Sequence, residues 1–343
     1  MAILQNTGIT GSLEFAGSGT FRNSYTENTS SVGYVWFDLN SNTLKVSCCQ
    51  EAIPESLSYT ATAASNVAKG SGAAAGTQNS AVLFAGLGPP FSPPGWNKVT
   101  EEYNGTSWST TSNHSTQGYG LVGAGTQNAA LKAGGATPGG TNSTEEYNGT
   151  SWSGGGSLSG GTCYQGGSGT QNDAISVGGR TSPTLTQEYN GSSWSSGGTL
   201  PVGKYHSCSV GPTSAAKAAG GLPSTFCVLD YDGNSWSTQP NTIFEHRANH
   251  SMTGTQNAAS AIAGVPSPTH TGRLCVERYD GISWSATTSL LGCGNGSQAA
   301  GATDTCFMTV GRLETYNTGT NTEESTFIAS VPALITTGSI SFT

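Results

Sequence analysis

The 343-residue chain has 50 glycines, only 9% charged residues and a net charge of −8, with 12 Lys and Arg in all. That balance argues against a nucleic-acid partner, which calls for a basic surface, and no stretch approaches the ~18 apolar residues of a membrane span, so membrane insertion is not expected. The composition is turn-rich and poor in helix formers, but regularly placed aromatics point to packed β structure rather than low-complexity disorder.

Taken in order, the chain begins without a basic segment followed by an apolar run, so no signal peptide is expected. Residues 12–15 (SLEF) read as a short strand, and residues 34–39 and 43–47 read as a hairpin across Asn40-Ser41-Asn42. Residues 1–51 form a small N-terminal β module, too short for a large core of its own. It is expected to lean on a partner, on copies of itself or on the domain that follows.

From residue 52 the chain is repetitive. The phrase GTQN begins at Gly76, Gly125, Gly169 and Gly254, with weaker equivalents at Gly211 (GPTS) and Gly301 (GATD). A run of small residues ending in Gly-Gly follows, as in residues 129–135 (AALKAGG), 174–179 (AISVGG) and 215–221 (AAKAAGG). After a variable loop comes EYNGTSWS, at 102–109 and 146–153, with variants at 188–195, 230–237 and 278–285 and a decayed copy at Tyr316-Asn317. The tryptophans Trp108, Trp152, Trp194, Trp236 and Trp284 are 44, 42, 42 and 48 residues apart, a period that marks a supersecondary unit burying its apolar face against its neighbours.

Asn-Gly or Asp-Gly between β-formers predicts a type I′ hairpin. Its two arms would carry the structural pairs Tyr103 and Trp108, Tyr147 and Trp152, Tyr189 and Trp194, Tyr231 and Trp236, and Tyr279 and Trp284. Each unit then holds the small-residue strand, the two hairpin arms and a weak fourth strand, for example residues 204–210. Four short strands in about 44 residues is the arithmetic of a propeller blade. Small residues suit the crowded axis, and Tyr and Trp suit the diverging rim. The expectation is an all-β, six-bladed β-propeller over residues 52–325. Its sixth blade would be made from residues 301–325 and closed by residues 52–75, removing exposed sheet edges. Residues 326–343 are left as a strand-like tail, expected on the 1–51 module.

The order Gly-Gly, Tyr, Trp resembles the kelch repeat of β-propellers over residues 52–325, although the four residues between Tyr and Trp are fewer than such repeats usually carry. The phrases GTQNAAL-AGG and TEEYNGTSW, with GSLEF and GYVWF before them, resemble repetitive kelch-like proteins of tailed phages of marine bacteria. That resemblance implies a virion structural protein, a fibre or appendage of the tail or head.

Sites of chemistry are weighed against plainer readings. Asp230-Tyr231-Asp232-Gly233 lacks the remaining ligands of a calcium loop and aligns with the Asn-Gly turns. His246 and His250 lie outside any HExxH pattern. The eight cysteines show no CxxC or zinc spacing and read as small buried strand residues. Glu101-Glu102 and Glu145-Glu146 point to opposite faces of a strand, so neither pair can share a proton, and they read as a solvated face. The six arginines form no carboxylate-binding constellation like that of sialidases, and the copper site of galactose oxidase is not announced. No metal, cofactor or enzymatic activity is therefore expected.

A constant frame with divergent loops suits recognition. The loops at 89–99, 136–143 and 266–274 differ strongly, and Trp96 in the first is the candidate ligand contact. The functional expectation is a virion appendage. Residues 1–51 would contact other virion proteins or form a homo-oligomer, and the propeller would present loops to a host-surface glycan or protein receptor. The alternatives are a capsid decoration protein and a glycan-processing propeller enzyme.

Overall fold

In the computed structural model the described residues are 63–301, except for loops at 89–94, 138–139, 224–225, 241–242, 244–246, 266–274 and 288–297, together with five outlying strands. The chain divides into two units, Met1–Glu55 and Ser56–Thr343. In the first, strand Tyr34–Asp38 pairs antiparallel with Thr43–Ser47, as the alternating pattern predicts; residues 12–15 lie outside the described residues. Every regular element among the described residues is a strand.

The second unit contains five blades of four antiparallel strands in a propeller arrangement. Blade 1 comprises Ala73–Thr77, Ser80–Phe84, Thr100–Tyr103 and Trp108–Thr110. Blade 2 comprises Val122–Thr126, Ala129–Ala133, Thr144–Tyr147 and Trp152–Gly154. Blade 3 is built from Gly166–Gly169, Ala174–Val177, Thr186–Tyr189 and Trp194–Ser196. Blade 4 holds Cys208–Val210, Lys217–Ala219, Val228–Tyr231 and Trp236–Thr238. Blade 5 holds Ser251–Gly254, Ala259–Ile262, Val276–Tyr279 and Trp284–Ala286.

The expectation of six like blades is corrected to five. The remaining strands, Gln298–Gly301, Cys306–Thr309, Val331–Leu334 and Ser58–Tyr59, hydrogen-bond in that order. Their make-up differs from the one expected. The tail strand Val331–Leu334 pairs here, between Cys306–Thr309 and Ser58–Tyr59. Of the described residues within 52–75 only Ser58–Tyr59 takes part, and Ala73–Thr77 opens blade 1. The decayed hairpin at Tyr316 lies outside the described residues.

The phase of the repeat is also corrected. GTQN does not precede the strand nearest the axis; it is the turn that leaves it. The strands lining one common channel are those that end in this phrase, with Ala74–Gly76, Gly123–Gly125, Gly167–Thr170, Ser209–Pro212, Met252–Thr255 and Ala299–Gly301 around a volume of about 320 Å³. The weak fourth strand of one unit is thus the inner strand of the next blade, and the Ala-rich strand is second from the axis. Crowding explains the composition: a Cβ at Gly123 would stand 2.6 Å from that of Ala73, and one at Gly167 would stand 2.3 Å from Val122 Cγ1.

Farther out, the aromatics fill the wedge between blades. Tyr103 pairs with Trp108 across the strands, and the ring centroids in the five Tyr–Trp pairs are 4.8 to 5.3 Å apart. Tyr147 and Trp152 pack on Val82 and Phe84 of blade 1, and Tyr279 and Trp284 pack on Val210, Ala219 and Val228 of blade 4. Burying one such ring stabilises by about 4–6 kcal/mol as an upper bound.

The turn between them is not type I′. Gly105, Gly149, Gly191, Gly233 and Gly281 have φ of 87° to 95°, but the residue before each stays at negative φ. Instead, the side-chain oxygen of Asn104 accepts the N–H groups of Thr106 and Ser107, and Asn148, Asn190, Asp232 and Asp280 repeat the arrangement. Four residues separate Tyr from Trp because an Asx-type loop of that length needs only one residue at positive φ.

Polar residues of the repeat cross the four junctions from blade 1 to blade 5. The indole N–H of Trp152, Trp194 and Trp236 donates to Thr100, Thr144 and Thr186 of the preceding blade, each at 2.8 Å. The hydroxyl of Tyr147, Tyr189 and Tyr231 donates to Glu102, Glu146 and Glu188 at 2.8, 2.5 and 2.6 Å. The GTQN glutamines Gln127, Gln171 and Gln256 each donate to two main-chain carbonyls of the blade before. Blade 4 departs from this pattern. It has Val228 where blades 1 to 3 carry Thr, and Trp284 Nε1 is buried without a partner among the described residues. It also has Asp230 in place of Glu, paired with Lys217 at 2.5 Å, and the Lys217 ammonium sits 4.2 Å from the Tyr279 ring centroid.

A buried donor left unpaired costs about 1–3 kcal/mol, whereas a made bond contributes about 1. Thr186→Val should therefore destabilise by about 1–3 kcal/mol. Val228→Thr, which offers Trp284 an acceptor, should stabilise by up to about 1 kcal/mol. Urea unfolding of the two variants against the parent reads both signs.

Candidate functional site

Before each inner strand, one residue of every blade adopts a left-handed backbone: Ser71, Gly120, Tyr164, His206 and Asn249, at φ of 54°, 60°, 58°, 56° and 51°. This conformation turns each N–H toward the preceding blade. Gly120 donates to Ser71 O at 2.7 Å, Tyr164 to Gly120 O at 2.6 Å, His206 to Tyr164 O at 2.7 Å and Asn249 to His206 O at 3.1 Å. The result is a hydrogen-bonded belt round one mouth of the channel. Non-glycine residues rarely adopt this region, and such strain concentrates at functional sites.

The belt aims side chains at the rim. Tyr164 and His206 lie with ring centroids 3.8 Å apart, Tyr119 meets Tyr164 edge-on at 5.7 Å, and Tyr205 is 5.4 Å from His206. A Cβ on Gly120 would stand 2.7 Å from the Tyr164 ring, so the smaller residue of blade 2 makes room for that ring. His206 Nδ1 is hydrogen-bonded to Asn249 Oδ1. Burial holds the His206 imidazole down at about 4, against the pull of its Asn249 bond. Burial, with the Tyr119 hydroxyl beside it, raises the Tyr164 phenol. The rim therefore presents neutral groups at pH 7.

Inside the rim the cavity measures about 130 Å³ and includes Gln165, Ser207, Ser209, His250 and Met252 in its wall. Gln165, Ser207, Ser209 and His250 are 3 to 5% exposed. Gln165 Oε1, the two serine hydroxyls and both ring nitrogens of His250 have no hydrogen-bond partner among the described residues. Among the described residues the lining contains no Asp, Glu, Lys or Arg.

The acidic residues go elsewhere. Glu101 and Glu145 are buried, which corrects the solvated reading. Glu101 pairs with Lys69 at 2.9 Å and accepts the N–H groups of Asn66 and Val67. Glu145 pairs with Lys132 at 2.8 Å and accepts from Ser115 and Thr116. Glu277 pairs with the buried Arg247. Burial works to raise Glu145, but Lys132 and the two main-chain donors bring it down to about 2. Burial lowers Lys132, with Glu145 opposing it. These carboxylates tie the incoming loop to the sheet.

The ten repeat aromatics are wedge and clasp residues, not lining residues of the mouth. Trp96 is half-buried, its main chain bridges Leu87, and its indole nitrogen has no partner among the described residues. Residues 89–94 and 266–274 of the variable loops, and His246, lie outside the described residues. Asp232 holds a plain turn through Asn234 and Ser235. Among the described residues no three His, Cys, Asp or Glu side chains come together, and Cys163, Cys208, Cys227 and Cys275 are free thiols. No family model matches the chain, and no curated protein matches it.

Sequence reasoning placed residues 204–210 in a weak fourth strand and assigned the residues of the mouth no role. The missed signal is the absence of glycine at Tyr164, His206 and Asn249, where blade 2 has Gly120. Reading it requires the register of the inner strands.

A pH titration of stability tests the buried pairs. His114, against Lys132 and Glu145, is held at about 4, first by burial and then by the Lys132 charge. The unfolded chain takes up that proton near 6.5, so its contribution is full above pH 6.5 and is lost as pH falls toward 4. The Glu145 contribution is full above about 4.5 and is lost toward 2. Urea midpoints should fall below pH 6.5 and again below 4.5, and His114→Gln should remove one proton's share of the first slope alone.

Proposed function

We propose that the chain is a non-enzymatic recognition module of a virion appendage. The observation that carries the recognition half is the channel mouth, where strained backbone presents uncharged aromatic and hydrogen-bonding groups around unsatisfied polar atoms. The carboxylates of Glu101, Glu145, Asp230 and Glu277 are engaged in ion pairs that hold blades and loops together. The virion half rests on the resemblance of the repeated phrases to kelch-like phage proteins.

The reading needs a closed ring. Gln298–Gly301 packs beside both Ser251–Gly254 and Ala73–Thr77, and its three partner strands come from both ends of the unit. We assign these strands to a sixth, divergent blade that seals the propeller. Attachment to other virion proteins, and self-association, are assigned to residues 1–51. Trp96 remains a second candidate contact, on the loop side of blade 1.

The test is retention of the labelled full chain on an array of bacterial surface polysaccharides and intact cells, with released sugar assayed in parallel. Retention without release is expected. Release of sugar would replace the reading with that of a processing enzyme. Absence of retention on every surface would replace it with that of a purely architectural capsid protein.

A further inference from the structure

The five outer turns share one geometry but not one residue. The side-chain oxygen of Asn104 accepts the main-chain N–H groups of Thr106 and Ser107 at 3.0 and 2.9 Å. Asn148 and Asn190 accept the equivalent pairs at 2.8 to 3.0 Å. Blades 4 and 5 carry Asp232 and Asp280 at this place, with the same bonds at 2.7 to 2.9 Å. The turn therefore uses the oxygen alone. Among the described residues, Nδ2 of Asn104, Asn148 and Asn190 makes no hydrogen bond.

Each of these asparagines is exposed and is followed by glycine. A glycine nitrogen is open to approach because no Cβ shields it. The N–H groups of Gly105, Gly149 and Gly191 donate to nothing among the described residues. Attack by such a nitrogen on the asparagine side-chain carbon puts negative charge on Oδ1. That is the atom on which the two N–H donors already converge, and donors so placed stabilise developing charge. At Asn190 the hydroxyls of Ser192 and Ser193 add to them, at 2.9 and 3.4 Å. Nucleophile, electrophile and donors thus lie within one short turn.

We infer that Asn104, Asn148 and Asn190 are self-modification sites, converted by water to aspartate within the folded turn. The glycine nitrogen gives its proton to solvent and bonds to the asparagine Cγ. The Cγ–Nδ2 bond breaks, and the nitrogen takes up a proton and leaves as ammonia. Water then opens the five-membered imide. Cleavage between Cγ and the glycine nitrogen leaves aspartate in the original main chain. Cleavage on the other side of that nitrogen leaves isoaspartate, with the main chain rerouted through Cγ. Nothing is oxidised or reduced, and water is the one co-reactant.

Asp232 and Asp280 show that the aspartate product keeps the turn. The N–H groups of Ser235 and Asn234 hold the Asp232 carboxyl below its ordinary value, and those of Ser283 and Ile282 do the same for Asp280. Each conversion adds one negative charge, so three take the net charge from −8 to −11. Isoaspartate at residue 104 would instead add a methylene to the main chain between Tyr103 and Trp108 and disturb their packing.

The test incubates the full chain in heavy-oxygen water at neutral and mildly alkaline pH. Peptide mass spectrometry, with fragmentation that separates aspartate from isoaspartate, then locates the incorporated oxygen. Incorporation is expected at all three sites, faster at the higher pH, and at least as fast in the folded chain as in urea. Asn128, exposed but followed by Ala129, should stay unchanged. Ser192→Ala with Ser193→Ala should slow Asn190 by about fivefold and leave Asn104 as before. A chain with Asn104→Asp, Asn148→Asp and Asn190→Asp should keep its melting temperature. The inference is overturned if the folded chain converts more slowly than the unfolded one, if Asn128 converts alongside, if the serine variant is no slower, or if the triple variant loses its fold.

Discussion

A strand of glycine, alanine and serine can approach its neighbour closely, but it buries little apolar surface. The inner strands here are of that kind, and a Cβ at Gly123 or Gly167 would collide with the adjacent blade. Cohesion between blades must therefore come from farther out, where sheets diverge. There the Tyr–Trp wedge supplies apolar area, and three repeated hydrogen bonds cross the junctions between blades 1 and 2 and between blades 2 and 3: indole to threonine, phenol to glutamate, and glutamine to main-chain carbonyl. A chain with 9% charged residues spends several of them on these clasps and on buried ion pairs. Such pairs add modest net stability because desolvation offsets their attraction, but breaking one is costly.

Blade 4 shows how the scheme bends. Val228 deprives Trp284 of its acceptor, and Asp230, one carbon shorter than glutamate, turns to Lys217. The junction with blade 5 keeps the glutamine clasp through Gln256 and gains the Lys217 ammonium over the Tyr279 ring. A larger apolar cluster, including Met252, Ile243 and Val210, fills the same gap. Loss of directional bonds is offset here by area and by a cation–π contact.

The all-β repeat, the Tyr–Trp hairpin and the propeller arrangement were legible in the sequence because each follows from local spacing. What escaped depends on partners in another blade. The strand periodicity correctly placed Glu101 and Glu102 on opposite faces, but nothing local shows that Lys69 reaches the first. The Tyr147 hydroxyl, which reaches the second, belongs to the next repeat. The turn type was misread because Asn-Gly serves two loop classes, and loop length decides between them. The phase of GTQN was misread because both strands flanking it are built of small residues. The mouth was missed for a related reason: Tyr164, His206 and Asn249 share a position only once the inner strands are in register.

The belt at the mouth and the clasps at the rim are two ends of one design, since a site assembled from one residue per blade keeps its geometry only if the blades do not shift. The most direct measurement of that dependence is a double-mutant cycle on the clasp between blades 2 and 3, combining Tyr189→Phe with Glu146→Met and reading urea unfolding. A bond of 2.5 Å to a carboxylate predicts a coupling of about 1–2 kcal/mol between the two substitutions. Effects that simply add, within about 0.3 kcal/mol, would contradict the claim that these bonds hold the blades together.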